Sequence, residues 1–165
     1  MLEAQTRLIQ LQWKGPFRHD ELPSLTNTEI DYGIYQIYGR HPVYGSDILL
    51  YIGKADFQTL GKRILQEGWY DTNDSNNLKI YIGRLHGPIN PDLETWSKEI
   101  DLAERLLIYV HKPAYNSKGL VSISKELENV HILNWADYRS LLPEISGLRW
   151  TSKLDYLEYE MYKLV

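Results

Sequence analysis

The chain has 165 residues, 43% of them hydrophobic, and a formal net charge of −4. This length favours a single domain that buries a core. Because the chain has no cysteine, disulfides and thiolate metal sites are excluded, and the charge is not that of a strongly basic nucleic-acid-binding domain. Residues 126–165 hold seven of the 22 acidic and four of the 18 basic residues. Any phosphate-binding surface is therefore expected as a local patch in the first part of the chain.

No segment of the sequence predicts secretion or a membrane span. Glu3 and Arg7 interrupt the N-terminal apolar residues, unlike the apolar centre of a signal peptide. The longest apolar runs, 48–52 and 106–110, are far shorter than the roughly 20 residues that cross a bilayer. We therefore expect a cytoplasmic protein with no membrane partner, and the lack of cysteine agrees with a reducing compartment.

The N-terminal half predicts strands, one hairpin and a helix. Alternating apolar and polar residues, aromatic and β-branched runs, and turn residues mark these elements. The short distance between the second and third strands favours an antiparallel hairpin. In chain order the predicted elements are a strand at 8–13 that ends at Gly15-Pro16, a loop at 18–29, strands at 33–38 and 48–53, a helix at 58–69 and a strand at 78–85.

The C-terminal half predicts three helices and a further strand. A long helix begins at Asn90-Pro91, where a capping residue precedes a proline, and runs to about His111. The remaining predicted elements are a strand at 130–133, a short helix at 135–142 capped by Asn134, and a last helix that begins at Ser152 with a capping box to Asp155. This order predicts one α+β domain over residues 1–165, in which helices flank a small, mostly antiparallel sheet.

The long predicted helix carries one acidic residue inside its apolar stripe. Glu104 lies four residues after Ile100 and three before Leu107, which places it on the core-facing side. A carboxylate in that position is costly unless it is paired or binds a metal ion. Periodicity alone leaves open that Glu104 bonds an arginine or reaches water at the edge of the stripe.

Two strand tripeptides, Gly33-Ile34-Tyr35 and Tyr51-Ile52-Gly53, precede Glu104, and the whole set resembles the GIY-YIG nuclease superfamily. In excision-repair enzymes of this superfamily, the nuclease domain has a helix glutamate, a Leu-Ile pair and a Pro-x-Tyr-Asn ending. Residues 104–116 are similar to that pattern. The segments that carry the resemblance are GIYQIYG at 33–39, LLYIGKA at 49–55, GKRI at 61–64 and AERLLIYVHKPAYN at 103–116.

The resemblance implies a metal-dependent endonuclease that hydrolyses DNA phosphodiester bonds. It implies one divalent ion, Mg²⁺ or Mn²⁺, on Glu104, and the guanidinium of Arg63 on a phosphate oxygen. A tyrosine is the general base, Tyr35 by preference with Tyr51 hydrogen-bonded beside it, although the sequence does not separate the two. Lys54 and the ion would lower the pKa of that tyrosine from about 10. The implied site residues are Tyr35, Tyr51, Lys54, Arg63, Glu104 and Asn116, the last of which ties the loop after the helix to the site.

The resemblance covers about residues 31–118, which form the expected catalytic core. Residues 1–30 and 119–165 are then extensions. The turn at 39–47 is longer than in the compact family hairpin, which makes it a candidate DNA contact.

Two further features depart from the family pattern. Many members carry a histidine or tyrosine one helical turn after the arginine, where this chain has Glu67. An acid there would either repel phosphate or pair with Arg63. Tyr81-Ile82-Gly83 repeats the second tripeptide without a following Lys-Ala, so Tyr81 is expected to be a structural strand residue.

Other functions remain open from the sequence. One is a catalytically weak or inert domain of the same fold that only binds nucleic acid, and another is a small α+β interaction domain with an accidental match. The last predicted helix has an apolar stripe that either packs on the same domain or forms a homodimer interface. Its residues are Leu154, Leu157, Met161 and Leu164.

Overall fold

The computed structural model describes residues 5–69, 77–87 and 91–151. In chain order the elements are β1 (Arg7–Phe17), a 3-10 helix (His19–Ser24), β2 (Gly33–His41), β3 (Gly45–Ala55), α1 (Leu60–Gln66), β4 (Lys79–Leu85), α2 (Leu93–His111), a second 3-10 helix (Lys125–Leu127), β5 (Val130–Ala136), β6 (Glu144–Ser146) and α3 (Gly147–Thr151). Within these ranges, no helix combines the length and apolar character needed to cross a bilayer.

The strands form one six-stranded sheet in the order β3-β2-β4-β1-β5-β6. Four neighbouring pairs are antiparallel, among them the predicted hairpin of β2 and β3, but β1 and β5 are parallel. The α+β class is therefore confirmed, whereas the sheet that was predicted to be mostly antiparallel is mixed. The reason is non-local: β5 follows α2 and enters the sheet beside β1, more than 100 residues earlier in the chain.

Each face of the sheet carries its own packed layer. Because successive side chains of a strand point to opposite faces, Ile34 and Ile52 join the buried cluster that contains α2. Tyr35 and Ile37 join the cluster that contains α1 and the first 3-10 helix. Both α1 and α2 contact β3, which lies at one edge of the sheet. Side chains from the two layers can therefore meet at that edge.

The segment that follows α2 covers the outer side of β3. The helix ends at His111, as predicted, and the C-cap residue Lys112 adopts left-handed backbone angles (φ 46°). The N–H groups of Ala114 and Tyr115 then donate to the carbonyls of Leu49 and Leu50, at 3.2 and 2.8 Å. These bonds satisfy backbone groups of an edge strand that would otherwise be open to water or to another chain.

The long helix begins two residues later than the sequence predicted. Asp92 is its N-cap, and the carboxylate accepts a hydrogen bond from the backbone N–H of Thr95 at 2.9 Å. Pro91 precedes the helix, and Asn90 lies outside the described residues. The predicted cap was wrong, and the local sequence offers two residues of similar capping preference close together.

The predicted helix at 135–142 is also wrong, because β5 continues to Ala136. Asn134, which was expected to cap that helix, is buried inside the strand. Its side-chain oxygen accepts from the indole N–H of Trp13 at 2.8 Å, and its amide donates to the carbonyl of Leu142 at 2.8 Å. An asparagine bonded to distant partners has the same local sequence signal as a helix cap.

The C-terminal part of the chain differs from prediction where it is described. The short strand β6 was not predicted, and α3 begins at Gly147, ahead of the expected capping box at Ser152 and Asp155. Residues 152–165 lie outside the described residues. The predicted last helix, its apolar stripe and the homodimer that it would form therefore stay predictions.

The first glycine of the Gly-Ile-Tyr tripeptide is expected to be essential for folding. Gly33 has φ 149°, and a Cβ there would lie 2.1 Å from the carbonyl oxygen of Gly83 on β4. Replacement of Gly33 by alanine forces two paired strands apart and is expected to cost about 3 kcal/mol in the free energy of unfolding. Urea denaturation measures this cost.

Gly87→Ala is the matched control, because a Cβ at Gly87 meets no atom within 4 Å. It should change the free energy of unfolding by less than about 0.5 kcal/mol. Equal stability of the two variants would contradict the close approach of β2 to β4.

Candidate active site at the edge of the sheet

The residues singled out by the sequence pattern come from separate elements and converge at the β3 edge of the sheet. Ring contacts join the two tyrosines, and charge interactions join Tyr51 and Glu104 to Arg63. Their positions are β2 for Tyr35, β3 for Tyr51 and Lys54, α1 for Arg63, α2 for Glu104, and the following loop for Asn116.

The two tyrosines lie side by side on neighbouring strands. Tyr35 pairs with Gly53 in the β2–β3 register, and the ring centroids of Tyr35 and Tyr51 are 6.1 Å apart. A Cβ at Gly53 would lie 2.5 Å from the Tyr35 hydroxyl. The glycine of one tripeptide therefore provides the space for the tyrosine of the other, which explains why the two tripeptides occur together.

Burial controls the ionisation of both tyrosines. The Tyr35 hydroxyl is fully buried and makes no hydrogen bond of ordinary geometry within the described ranges. Burial, and then the charges of Glu67 and Tyr51, raise its pKa, whereas the nearby Arg63 guanidinium opposes that rise. Burial, followed by Glu67 and Glu104, likewise raises the pKa of Tyr51. The lowering of the pKa that was expected from Lys54 is not found for either tyrosine.

Lys54 is engaged by two carboxylates that the sequence analysis did not assign to the site. Its ammonium nitrogen lies 2.7 Å from an oxygen of Asp101 and 3.4 Å from an oxygen of Asp56. Asp101 lies three residues before Glu104 on α2, so helical spacing places both on neighbouring positions. That spacing was visible in the sequence, but the partnership with a strand lysine depends on tertiary packing.

Arg63 pairs with the acid that departs from the family pattern. Its guanidinium is 2.7 Å from the carboxylate of Glu67, one helical turn later. This decides between the two expectations for Glu67 in favour of pairing. The Arg63 side chain remains 40% exposed, so it is accessible to a ligand that can replace the carboxylate.

Glu104 is the carboxylate of the site that has no partner. It is half-buried, and its carboxylate makes no hydrogen bond or ion pair with any other described residue. Burial, followed by the charges of Asp101 and Asp56, raises its pKa from 4.5 to about 7, while Lys54 and Arg63 oppose the rise. Neither an arginine partner nor full exposure to water explains its place in the apolar stripe.

The surroundings of Glu104 restrict the kind of cation that it could hold. In the described part of the chain, no group of three or more His, Asp or Glu side chains could enclose a metal ion. Mg²⁺ is commonly bound through one or two carboxylates while it keeps several waters. A lone accessible carboxylate therefore fits a hydrated Mg²⁺ or Mn²⁺ ion and does not fit a structural metal site.

Asn116 has a structural role in the closed edge. Its side-chain oxygen accepts from the N–H of Ile52 at 3.0 Å, and its amide donates to the Ile52 carbonyl at 2.9 Å. Both polar groups of this buried amide are thus used by the backbone of β3. This geometry agrees with the expected role of tying the loop to the site.

The repeated tripeptide on β4 is structural, as expected. Tyr81 is buried on the opposite face from Tyr35, with its ring centroid 5.5 Å from that of Tyr38. The following Arg84 pairs with Asp31. Tyr81 therefore belongs to the core under α2 and not to the edge site.

Comparison with known proteins finds no match to any family model and no significant similarity to a curated protein or a solved structure. The nuclease assignment accordingly depends on the motifs and on the geometry of the edge site.

Replacement of Glu104 by glutamine is expected to stabilise the metal-free protein more at pH 8 than at pH 5. Because the folded-state pKa is raised from 4.5 to about 7, the folded protein keeps a proton over an interval in which the unfolded chain has lost it. The free energy of unfolding therefore falls as pH rises through that interval. Glutamine removes this loss, so the stabilisation should differ between the two pH values by about 2 kcal/mol.

Urea unfolding in EDTA at pH 5 and pH 8 measures the difference. Glu94→Gln, an exposed position on the same helix, is the control and should show no comparable dependence on pH. A stabilisation by Glu104→Gln that is the same at both pH values would contradict the unpartnered, half-buried carboxyl.

Proposed function

We propose that this chain is a metal-dependent endonuclease that hydrolyses DNA phosphodiester bonds at the β3 edge. The observation that carries the proposal is the convergence of the motif residues: tyrosines, a lysine, an arginine and an unpartnered glutamate meet although they come from β2, β3, α1 and α2. An accidental sequence match has no reason to bring these residues together in space. Phosphodiester hydrolysis needs these groups, namely a base for water and positive charge at the phosphate.

Arg63 is the phosphate-binding group of the proposed site. The planar guanidinium can bond two oxygens of a phosphate at once, which lysine cannot do. In the structure the Glu67 carboxylate forms an ion pair with this guanidinium. A phosphate must therefore displace the Glu67 carboxylate, and that exchange lowers substrate affinity relative to a site with a free arginine.

Glu104 would hold the Mg²⁺ or Mn²⁺ ion. When bound, the ion supplies positive charge at the leaving oxygen and at the phosphate. The raised pKa of Glu104 means that binding of a cation competes with a proton near neutral pH. Lys54, held by Asp101 and Asp56, contributes a fixed positive charge beside the carboxylate.

Tyr51 is the better placed of the two tyrosines to contact the attacking water. Tyr51 is half-buried, whereas Tyr35 is fully buried beneath it and beside Arg63. We therefore assign Tyr51 the role of general base, and Tyr35 the role of a positioning residue whose ring supports that of Tyr51. This differs from the preference for Tyr35 drawn from the sequence alone.

Two observations favour the alternative function, an inert domain that only binds nucleic acid. The pKa of both tyrosines is raised, mainly by burial, which opposes their use as a base, and Glu67 occupies Arg63. A cation held at Glu104 would lower the pKa of Tyr51, and a phosphate that binds Arg63 would displace the Glu67 carboxylate. Cleavage assays separate the two functions.

The purified protein is expected to nick supercoiled plasmid in Mg²⁺ or Mn²⁺ and not in EDTA. Glu104→Gln and Arg63→Ala should each lower the rate at least about 100-fold, because the first removes the carboxylate that would hold the ion and the second removes positive charge at the phosphate. Glu94→Gln is the matched control and should cut like the wild type. Gel analysis of the plasmid forms measures the rates, and circular dichroism checks that each variant is folded.

Cutting that survives in Glu104→Gln would contradict the proposed ligand. A folded wild-type protein that cuts neither plasmid nor branched or single-stranded DNA would reject the nuclease and leave the binding domain.

Comparison of two conservative variants is expected to identify the base. Tyr51→Phe should lower the cleavage rate at saturating substrate by about 100-fold or more, since it removes a general base. Tyr35→Phe keeps the supporting ring and should lower the rate less than tenfold. Single-turnover cleavage over pH 6 to 10 measures both. A larger loss in Tyr35→Phe would transfer the role of base to Tyr35.

A further inference from the structure

A continuous row of aromatic rings leads from the edge site to the tip of the β2–β3 hairpin. We call Tyr51, Trp69, Tyr115, His41 and Tyr44 the aromatic row. Successive ring centroids are 5.2, 6.0, 5.2 and 4.5 Å apart. The row begins at the proposed base and crosses from the α1 side to the hairpin through the loop that follows α2.

The outer part of the aromatic row faces solvent. Tyr115 is 41% exposed and Tyr44 is 67% exposed, so the hydrophobic core gains little from the outermost ring. Single exposed aromatic residues are common on protein surfaces. A contiguous series that starts at a site of charged residues is unusual and indicates a binding surface.

The rings are held in place before any ligand binds. The backbone N–H groups of Val43 and Tyr44 both donate to the His41 ring at 3.1 Å, which orders the turn. The backbone of Tyr115 is held by the hydrogen bond from its N–H to the carbonyl of Leu50. The ring planes of His41 and Tyr44 differ by 22°. A ligand that stacks on these rings therefore loses little free energy in ordering them.

Two exposed cationic residues lie close in sequence to the outer rings of the aromatic row, while Glu67 and Glu104 lie near its inner end at Tyr51. Arg40 precedes His41 in the chain, Lys118 follows Tyr115 by three residues, and both side chains are exposed. The acid of the hairpin, Asp47, is paired with Lys79 and Arg139. Aromatic platforms beside positive charge are the usual means by which proteins bind single-stranded nucleic acid, since every base has a face that can stack.

We propose that the aromatic row binds unpaired bases, so that the edge site acts on single-stranded DNA or on the single-stranded arm of a branched DNA. Bases within an intact duplex are stacked on one another and cannot lie on protein rings. The cleavage part of this inference rests on the proposed nuclease function, whereas the binding part stands without it. The strands of the hairpin extend to His41 and from Gly45, so the predicted long turn at 39–47 is wrong, and the short tip at 42–44 is the outer end of the strand-binding surface.

Binding of fluorescein-labelled DNA tests the inference without cleavage. Fluorescence anisotropy of the Glu104→Gln protein in EDTA, with a 20-nucleotide single strand and with the matching duplex, should give at least tenfold tighter binding of the single strand. Tyr44→Leu and Tyr115→Leu should each weaken single-strand binding about tenfold, which corresponds to the loss of one stacked base. Their binding of duplex should be unchanged.

Two variants serve as controls. Val43→Ala alters an 80% exposed aliphatic residue of the same turn, and Trp135→Leu removes an exposed ring on β5, outside the aromatic row. Both should bind the single strand like the parent protein. A strand of abasic sites of the same length should lose the preference, because it keeps the charge and lacks the bases.

The outcomes separate this inference from the nuclease proposal. Equal or tighter binding of duplex, or loss of binding to both DNA forms in the Tyr44 and Tyr115 variants, would overturn the aromatic row as a base-stacking surface. Single-strand preference that depends on the row supports it, even where the wild type fails to cut DNA. That failure would reject only the nuclease activity.

Discussion

Closure of the exposed edge of β3 by the segment after α2 is the constraint on which the site depends. Asn116 bonds both backbone groups of Ile52, and two further backbone bonds hold residues 114 and 115 against the strand. A β-strand edge left open would be a site for aggregation. Its closure fixes the end of α2 and thereby the position of Glu104 relative to Tyr51 and Lys54. The same bonds place Tyr115 in the aromatic row.

The second feature that unifies the site is its internal neutralisation. Lys54 is held by Asp101 and Asp56, and Arg63 is held by Glu67, so each of these two basic side chains has an acidic partner. Glu104 is the acidic side chain of the site without such a partner, and burial raises its pKa. A half-buried carboxyl without a partner lowers stability, and such a cost is typical of a functional site. A bound cation would give Glu104 a partner, and a bound phosphate would take the place of Glu67 at Arg63.

The sequence predicted the parts of the fold that local signals determine. The hairpin of β2 and β3, the strand at β4 and the length of α2 follow from residue pattern and propensity, because neighbouring residues decide them. Predictions failed where distant partners decide. Asn134 has the local character of a helix cap, yet its bonds to Trp13 and Leu142 hold it inside β5. For the same reason, the parallel pairing of β5 with β1 had no sequence signal.

The sequence by itself singled out most residues of the candidate site, since a motif records residue identity and order along the chain, but it did not reveal Asp56 and Asp101. It also supplied the glycines that let the paired tyrosines approach. Only the tertiary structure decided their states: that Tyr35 is buried while Tyr51 is accessible, that Glu67 pairs with Arg63, and that Glu104 has no partner. Burial and ion pairing depend on residues brought together from different elements, and the linear order of the chain does not specify those distances. The aromatic row is the extreme case, because its five rings come from four separate parts of the chain and become a surface only when β3 and its covering loop are assembled.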